Sequence, residues 1–387
     1  MKGAATGDVA CDSYHRYKED IALLEALNLT SYRFSIAWPR ILPDGAGPPN
    51  PKGLDYYKRL ADALLEAKIR PLATLYHWDL PQRLEEAGGW PNRDLAARFT
   101  DYAELTVRAL GDRISNWCLF NEPWVFTFLG YVYGTHAPAR KNFADCTRAT
   151  HVVNIAQGQS FRAFKAINSK LQVGTAFSMA NCEPATKSDA DRQAAERAHA
   201  LGNVWFITRR STANIPKPSP AIIRSSSWAS GPATWNFAVP RSIFSASTTT
   251  AASSFPLFHP ALGKTPPPSH NFDAHEGPLT DFAWEVWLDG FHDLLFRISR
   301  EYKGMPPEIT ENGCSYLDCP DERAYHHWSL LDNFEWTEGY AQPTSTSERK
   351  SAPSRTPATG TPSALPPAVL RNRAPTIRDR TIITIKK

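Results

Sequence analysis

Two glutamates in this sequence close short apolar runs. Glu122 ends Trp117-Cys118-Leu119-Phe120-Asn121-Glu122 before Pro123-Trp124, and Glu311 ends Pro307-Glu308-Ile309-Thr310-Glu311 before Asn312-Gly313. Each run has the length of a strand and each meets a breaker. Pro123 cannot donate to a sheet ladder, and Asn-Gly is a turn signal. Proline also pushes the residue before it into extended backbone, so Glu122 is expected at the last step of its strand. With Trp117, Phe120 and Trp124 around it, the Glu122 carboxyl would be poorly solvated. Desolvation disfavours a charged acid and raises its pKa, which suits a proton donor near neutral pH. Two carboxyls at strand ends are what glycosidic bond cleavage uses, one as acid/base and one as nucleophile on opposite faces of the sugar. Read singly, Glu122 could equally be a loop residue capping the next helix, and either motif alone would be a weak signal.

The elements that must position these groups follow from the spacing of apolar residues. Tyr14–Leu27, Gly53–Lys68, Leu95–Leu110 and Thr147–Ile167 carry apolar residues at helical spacing. Between them lie strand-like runs at Ser31–Ile36, Pro71–Tyr76, Asn116–Phe120 and Leu171–Met179. Regular alternation of apolar strands with helices implies a parallel sheet covered by helices, and a barrel is the favoured closed form. Trp38, His77, Asn121, Glu122 and Glu311 all fall just past strand ends, where such barrels place their chemistry.

With 387 residues the chain can build one large core, and a net charge of +4 with both signs intermixed implies no nucleic-acid surface. Twelve tryptophans are many, and indole faces can stack on pyranose rings as well as fill a core. The six cysteines are scattered, several in core-like runs, which predicts reduced thiols and a cytoplasmic location. No signal peptide or membrane span is expected. Cys314 and Cys319, with His326 and His327, fit no common zinc spacing, and no glycine-rich phosphate loop is present. The expectation is therefore no metal and no cofactor.

Two blocks differ from the rest. No Asp or Glu occurs between Arg197 and Phe272, and residues 209–270 carry ten prolines and twelve serines. After Gln342 the tail has seven prolines and nine basic residues against two acids. Both compositions predict irregular structure. Their abrupt edges fit a change of reading frame better than a linker.

Asn121-Glu122-Pro123 together with Ile309-Thr310-Glu311-Asn312-Gly313 resembles the signature pair of glycosyl hydrolase family 1, the β-glucosidase-type retaining enzymes. The resemblance covers about 8–208 and 273–341. It implies an incomplete (β/α)8 TIM-type barrel over 1–341, interrupted by the segment 209–270 and followed by an irregular basic tail, 342–387. It also implies hydrolysis of terminal β-D-glucosyl residues by double displacement, on a small β-glucoside or oligosaccharide. By the resemblance Glu122 is the acid/base and Glu311 the nucleophile. Asn121 then holds the sugar 2-hydroxyl, His77 another glycone hydroxyl, and Arg33 stands beside the nucleophile. In Trp328-Ser329-Leu330-Leu331-Asp332-Asn333-Phe334-Glu335-Trp336, Trp328 resembles the stacking platform and Glu335 and Trp336 the hydroxyl ligands.

The sequence departs from the family in three places. The family's first strand with its glutamine is not found before Gly7, and the tyrosine of its sixth strand falls in the aberrant block. Only seventeen steps separate Glu311 from Trp328, too few for two strands and a crossover. Glu311 and Trp328 are therefore expected to be held more loosely than Arg33, His77, Asn121 and Glu122, and little activity is expected. Two other readings stand beside this one. One is a cellulase- or mannanase-like barrel, against which His77-Trp78-Asp79 and Asn333-Phe334-Glu335-Trp336 argue. The other is a non-catalytic sugar-binding or misfolded remnant.

Overall fold

The computed structural model describes residues 10–207, 244–247, 288–302, 307–311 and 382–385. Among them the order is α1 (Ser13–Ala26), β1 (Ser31–Ser35), α2 (Trp38–Ile41), α3 (Pro51–Glu66), β2 (Arg70–Tyr76), α4 (Gln82–Glu86), α5 (Leu95–Leu110) and β3 (Asn116–Asn121). There follow α6 (Pro123–Phe128), a π-turn over Leu129–Tyr133, α7 (Phe143–Ile167), β4 (Gln172–Ser178), α8 (Asp189–His199) and a second π-turn over Ala200–Val204. The last elements are β5 (Phe244–Ser247), α9 (Leu288–Glu301), β6 (Pro307–Glu311) and β7 (Ile382–Ile385).

All the strand pairings are parallel, in the order β6-β5-β4-β3-β2-β1-β7. The two end strands of that order approach each other, so the sheet curls round into a barrel with a lumen. Helices cover its outside, as the alternation of apolar strands and amphipathic helices predicts. Two strands fall in stretches whose composition predicts irregular structure, Phe244–Ser247 and Ile382–Ile385. Each is only four residues long, and an open sheet edge can recruit such a segment against its local propensity.

Helix starts follow local chemistry. Asn50 caps α3, accepting from the Lys52 amide at 3.2 Å, with Pro51 at the first helical position. Asn142 caps α7 in the same way. Between barrel and helices lies an aromatic layer in which Tyr76, Trp90, Phe99, Phe120 and Phe126 meet mostly edge to face. Trp38 belongs to that layer rather than to a site: it is fully buried and stacks on Tyr102 at 4.9 Å. Among the described residues no helix is long and apolar enough to cross a membrane.

Helix α9 leads into β6, so its docking sets where Glu311 can stand. Leu294, Ile298 and Tyr302 pack on Met179, and Arg297 reaches Glu196 at 2.6 Å and Glu301 at 2.7 Å. Glu301 also lies 3.4 Å from buried His199. Burial pushes the Glu301 carboxyl up, but hydrogen bonds and charge from His199 and Arg297 outweigh it and hold it below its ordinary value. A depressed folded pKa stabilises the fold above the unfolded value, about 4.3, and that contribution is lost as pH falls through the folded value. The stability gap between the native chain and Glu301→Gln should therefore be widest near neutral pH and shrink as the pH falls below about 4.3. Melting curves at several pH values would show it. A gap that widened on acidification would contradict this docking.

Candidate active site

Arg33 organises the upper lumen. It sits mid-way along β1, whose five residues are all buried, and is itself fully buried. Nε donates to Thr74 Oγ1 at 2.9 Å, Nη2 to Asn121 Oδ1 at 2.6 Å, and Nη1 to Glu311 Oε1. The guanidinium fork thus ties together β1, β2, β3 and β6. Burial pulls the Arg33 pKa down, but the charges of Glu311 and, further off, Glu122 more than offset it, and the net shift is upward. Cys118 Sγ lies 3.9 Å from Nη2. Burial pushes this thiol up against the lowering effect of Arg33, so it stays protonated and leaves the arginine to the carboxylates.

The next contacts follow from that fork. Arg33 can only donate, so it fixes Oδ1 of Asn121 towards itself and turns Nδ2 to His77 Nε2, 3.0 Å away. Nε2 must then accept, which places the imidazole proton on Nδ1, facing Ser35 Oγ at 2.8 Å. His77 is held as the neutral Nδ1–H tautomer in this arrangement. Trp78 Nε1 donates to the Asn121 carbonyl at 2.9 Å.

Glu122 corrects the sequence expectation. β3 ends at Asn121, and Glu122 turns to φ 42°, ψ 64°, left-handed rather than extended. Its amide still donates to the Ala176 carbonyl at 2.9 Å. The chain must then enter α6 at once through Pro123, and the left-handed residue makes that turn. Non-glycine residues there cost of order 1 kcal/mol or more, strain that gathers at functional sites. The side chain is nearly buried, at 9% exposure. Its expected aromatic ring is not made by Trp117 and Phe120: Trp117 packs on Phe164 of α7, and Phe120 lies in the outer aromatic layer.

The reason is a break in strand alternation. Cys118 pairs with Gly174 and Asn121 with Ala176, three steps against two, so β3 carries one extra residue there. The bulge brings both Cys118 and Asn121 to Arg33 and leaves Phe120 outside. β6 repeats the device. Ile309 pairs with Ala246 and Glu311 with Ser247, leaving Thr310 as the extra residue.

Of the residues expected from sequence, the structure groups Arg33, His77, Asn121 and Glu311 in one network, with Glu122 directly after Asn121. Glu311 is not the loose partner expected, since it is the carboxylate that Arg33 holds, with 13% of its side chain exposed. Trp328, Glu335 and Trp336 lie outside the described residues. Sequence reasoning missed Ser35, Thr74 and Cys118, which orient His77 and surround Arg33. Single polar residues within otherwise apolar strands were the available signal.

A profile described as Glycosyl hydrolase family 1 matches residues 1–322. Beta-glucosidase A of Acetivibrio thermocellus is 34% identical over 366 residues, covering 87% of this chain and 82% of its own length. A beta-glucosidase of Agrobacterium sp. is 35% identical, with 87% and 80% covered. The solved family 1 b-glucosidase from Thermotoga maritima superimposes with a TM-score of 0.75 at 32% identity, over 88% of this chain and 82% of that one. The same Thermotoga protein in complex with deoxynojirimycin gives 0.75 at 31%, over 88% and 83%. The fold is the (β/α)8 barrel, with seven strands among the described residues. A network of Arg33, Asn121 and Glu311 on such a barrel, with these relatives, places the chain in one group: it belongs to glycosyl hydrolase family 1 and is a glycoside hydrolase.

Proposed function

We propose that the chain is a retaining β-glucosidase, releasing terminal β-D-glucosyl residues from a small glycoside. The observation that carries this is the Arg33 fork, which holds Glu311 on one arm and Asn121, the neighbour of Glu122, on the other. Glu311, held in place by the guanidinium, attacks the anomeric carbon. The bond to the leaving oxygen breaks as Glu122 donates its proton, and a glycosyl ester forms on Glu311. Esterification removes the Glu311 charge, so Glu122 gives up protons more readily and acts as base. It takes a proton from water, the water oxygen bonds to the anomeric carbon, and the ester bond breaks to restore the Glu311 carboxylate.

Asn121 is assigned to the sugar 2-hydroxyl and His77 to another glycone hydroxyl. Nε2 of His77 already accepts from Asn121, so substrate enters by sharing or replacing that bond. Trp328 is assigned to stacking on the ring, and Glu335 and Trp336 to hydroxyl binding. No cofactor or metal takes part. The free thiols Cys11, Cys118 and Cys146, all buried, suit a reducing, cytoplasmic compartment.

The test is Glu122→Gln with aryl glucosides of graded leaving group. A good leaving group asks little of the acid, so glycosylation by a dinitrophenyl glucoside should be nearly unchanged. Poor leaving groups should slow by about 10²-fold or more. Equal slowing across the series in pre-steady-state kinetics would remove Glu122 from the acid role.

A further inference from the structure

The lumen holds a second ion pair that this chemistry does not use. Arg70 Nη2 donates to Glu308 Oε1 at 2.6 Å, with 23% and 22% of the two side chains exposed. Arg70 opens β2, and the pairings Ser31 with Arg70, Arg33 with Leu72 and Ser35 with Thr74 put it on the face of Arg33 and Ser35. β3, β4 and β5 stand between β2 and β6 in the sheet. A contact between those two strands therefore crosses the lumen and cannot run along the ladder.

On β6 the alternation rule would send Glu308 and Glu311, three apart, to opposite faces. The extra residue prevents this. Glu308 pairs with Ser245 and Glu311 with Ser247, two steps apart on β5, so both carboxylates share one face. Each is tied to an arginine of a different strand, Glu311 to Arg33 on β1 and Glu308 to Arg70 on β2. β6 is five residues long and pairs with a β5 of four, so the ladder alone holds it through few bonds. One tie would let the strand pivot about Arg33. Two ties, roughly 7 Å apart along the β5 ladder, remove that freedom.

We infer that Arg70 and Glu308 are positioning residues for Glu311, setting the height and rotation of β6 and so the approach of the nucleophile to the sugar. The inference rests on Glu311 as nucleophile. Sugar ligands on β2 and β3 are not moved by it, so its effect belongs to the chemical step rather than to binding.

The experiment is labelling of the full chain with a 2-deoxy-2-fluoro glucoside bearing a dinitrophenolate leaving group, with the modified peptide identified by mass. The expected label is on Glu311. In Arg70→Met and in Glu308→Gln the limiting labelling rate should fall about 10- to 100-fold, the cost of misplacement by about an ångström. The half-saturation concentration should stay within about threefold of native. The double variant should be no slower than the slower single, and Arg70→Lys, which can still make a one-point contact, should recover most of the rate. An unchanged limiting rate with Glu311 labelled, or a loss carried only by half-saturation, overturns the positioning role. Label elsewhere, or none, overturns the nucleophile reading beneath it. Where the single variants give no folded protein, the charge swap Arg70→Glu/Glu308→Arg decides. A limiting rate within about threefold of native supports the inference, and a tenfold loss or failure to fold overturns it.

Discussion

Glu311→Ala is expected to lower turnover of an aryl β-glucoside by about 10⁴-fold or more, as loss of a nucleophile does in other hydrolases. Azide added to that variant should restore part of the rate and give product of inverted configuration. The physical reason lies in what the substitution leaves behind. Arg33 Nη1 donates to the Glu311 carboxylate, while its other two oxygen acceptors, Thr74 Oγ1 and Asn121 Oδ1, are neutral. Removing the carboxylate opens a small space beside a buried guanidinium. A compact anion entering there attacks the anomeric carbon from the same side, and with no second displacement the configuration stays inverted. Product stereochemistry by NMR and rates with and without azide make the measurement. Undiminished turnover in Glu311→Ala would remove the residue from the mechanism.

Arg33→Met should be the most costly single change to the fold. Its side chain is fully buried and serves three acceptors on three other strands. Removing it takes the buried guanidinium away from the largely buried Glu311 carboxylate, a loss of about 3–5 kcal/mol. Turnover per folded molecule should fall by about 10²-fold or more, since donors fixed at a reacting group are worth that much. Arg33→Lys keeps the charge but cannot reach three acceptors with a fork, so it should recover only part of either loss. Chemical denaturation and rates normalised to folded protein would show it. A midpoint shift equivalent to less than about 1 kcal/mol would mean that the fork carries little of the fold.

The sequence made the barrel legible wherever alternation held. Leu95–Leu110 is a helix to the residue, and the strands ending at Ser35, Tyr76 and Asn121 fall where the apolar runs stop. Arg33, His77, Asn121 and Glu311, singled out because their neighbours form recognisable motifs, do come together in one network. What was not legible depends on backbone that breaks its own period. Phe120 reads as a neighbour of Glu122, but the extra residue between Cys118 and Asn121 turns it outward. Glu122 reads as extended because proline follows, yet the immediate start of α6 imposes a left-handed turn. The partnership of Arg70 with Glu308 spans 238 positions, and no local pattern joins residues so far apart. The strands at Phe244–Ser247 and Ile382–Ile385 were hidden for another reason: a pairing partner supplies what their own composition does not.

The extra residue in β6 also decides which kinds of genetic change this strand can absorb. Thr310 is buried at 2% exposure, and replacing it by valine or serine alters packing while leaving the count of residues intact. Deleting it does something different in kind. Ordinary alternation returns, and Glu308 and Glu311, then two apart, still share a face and still stand opposite Ser245 and Ser247. Arg33 and Arg70 stay at their fixed heights on β1 and β2, and both carboxylates remain within their reach. An insertion between the two glutamates has no such escape, because it adds a second step that no partner on β5 matches. A lineage carrying this strand can therefore lose its extra letter more readily than gain another.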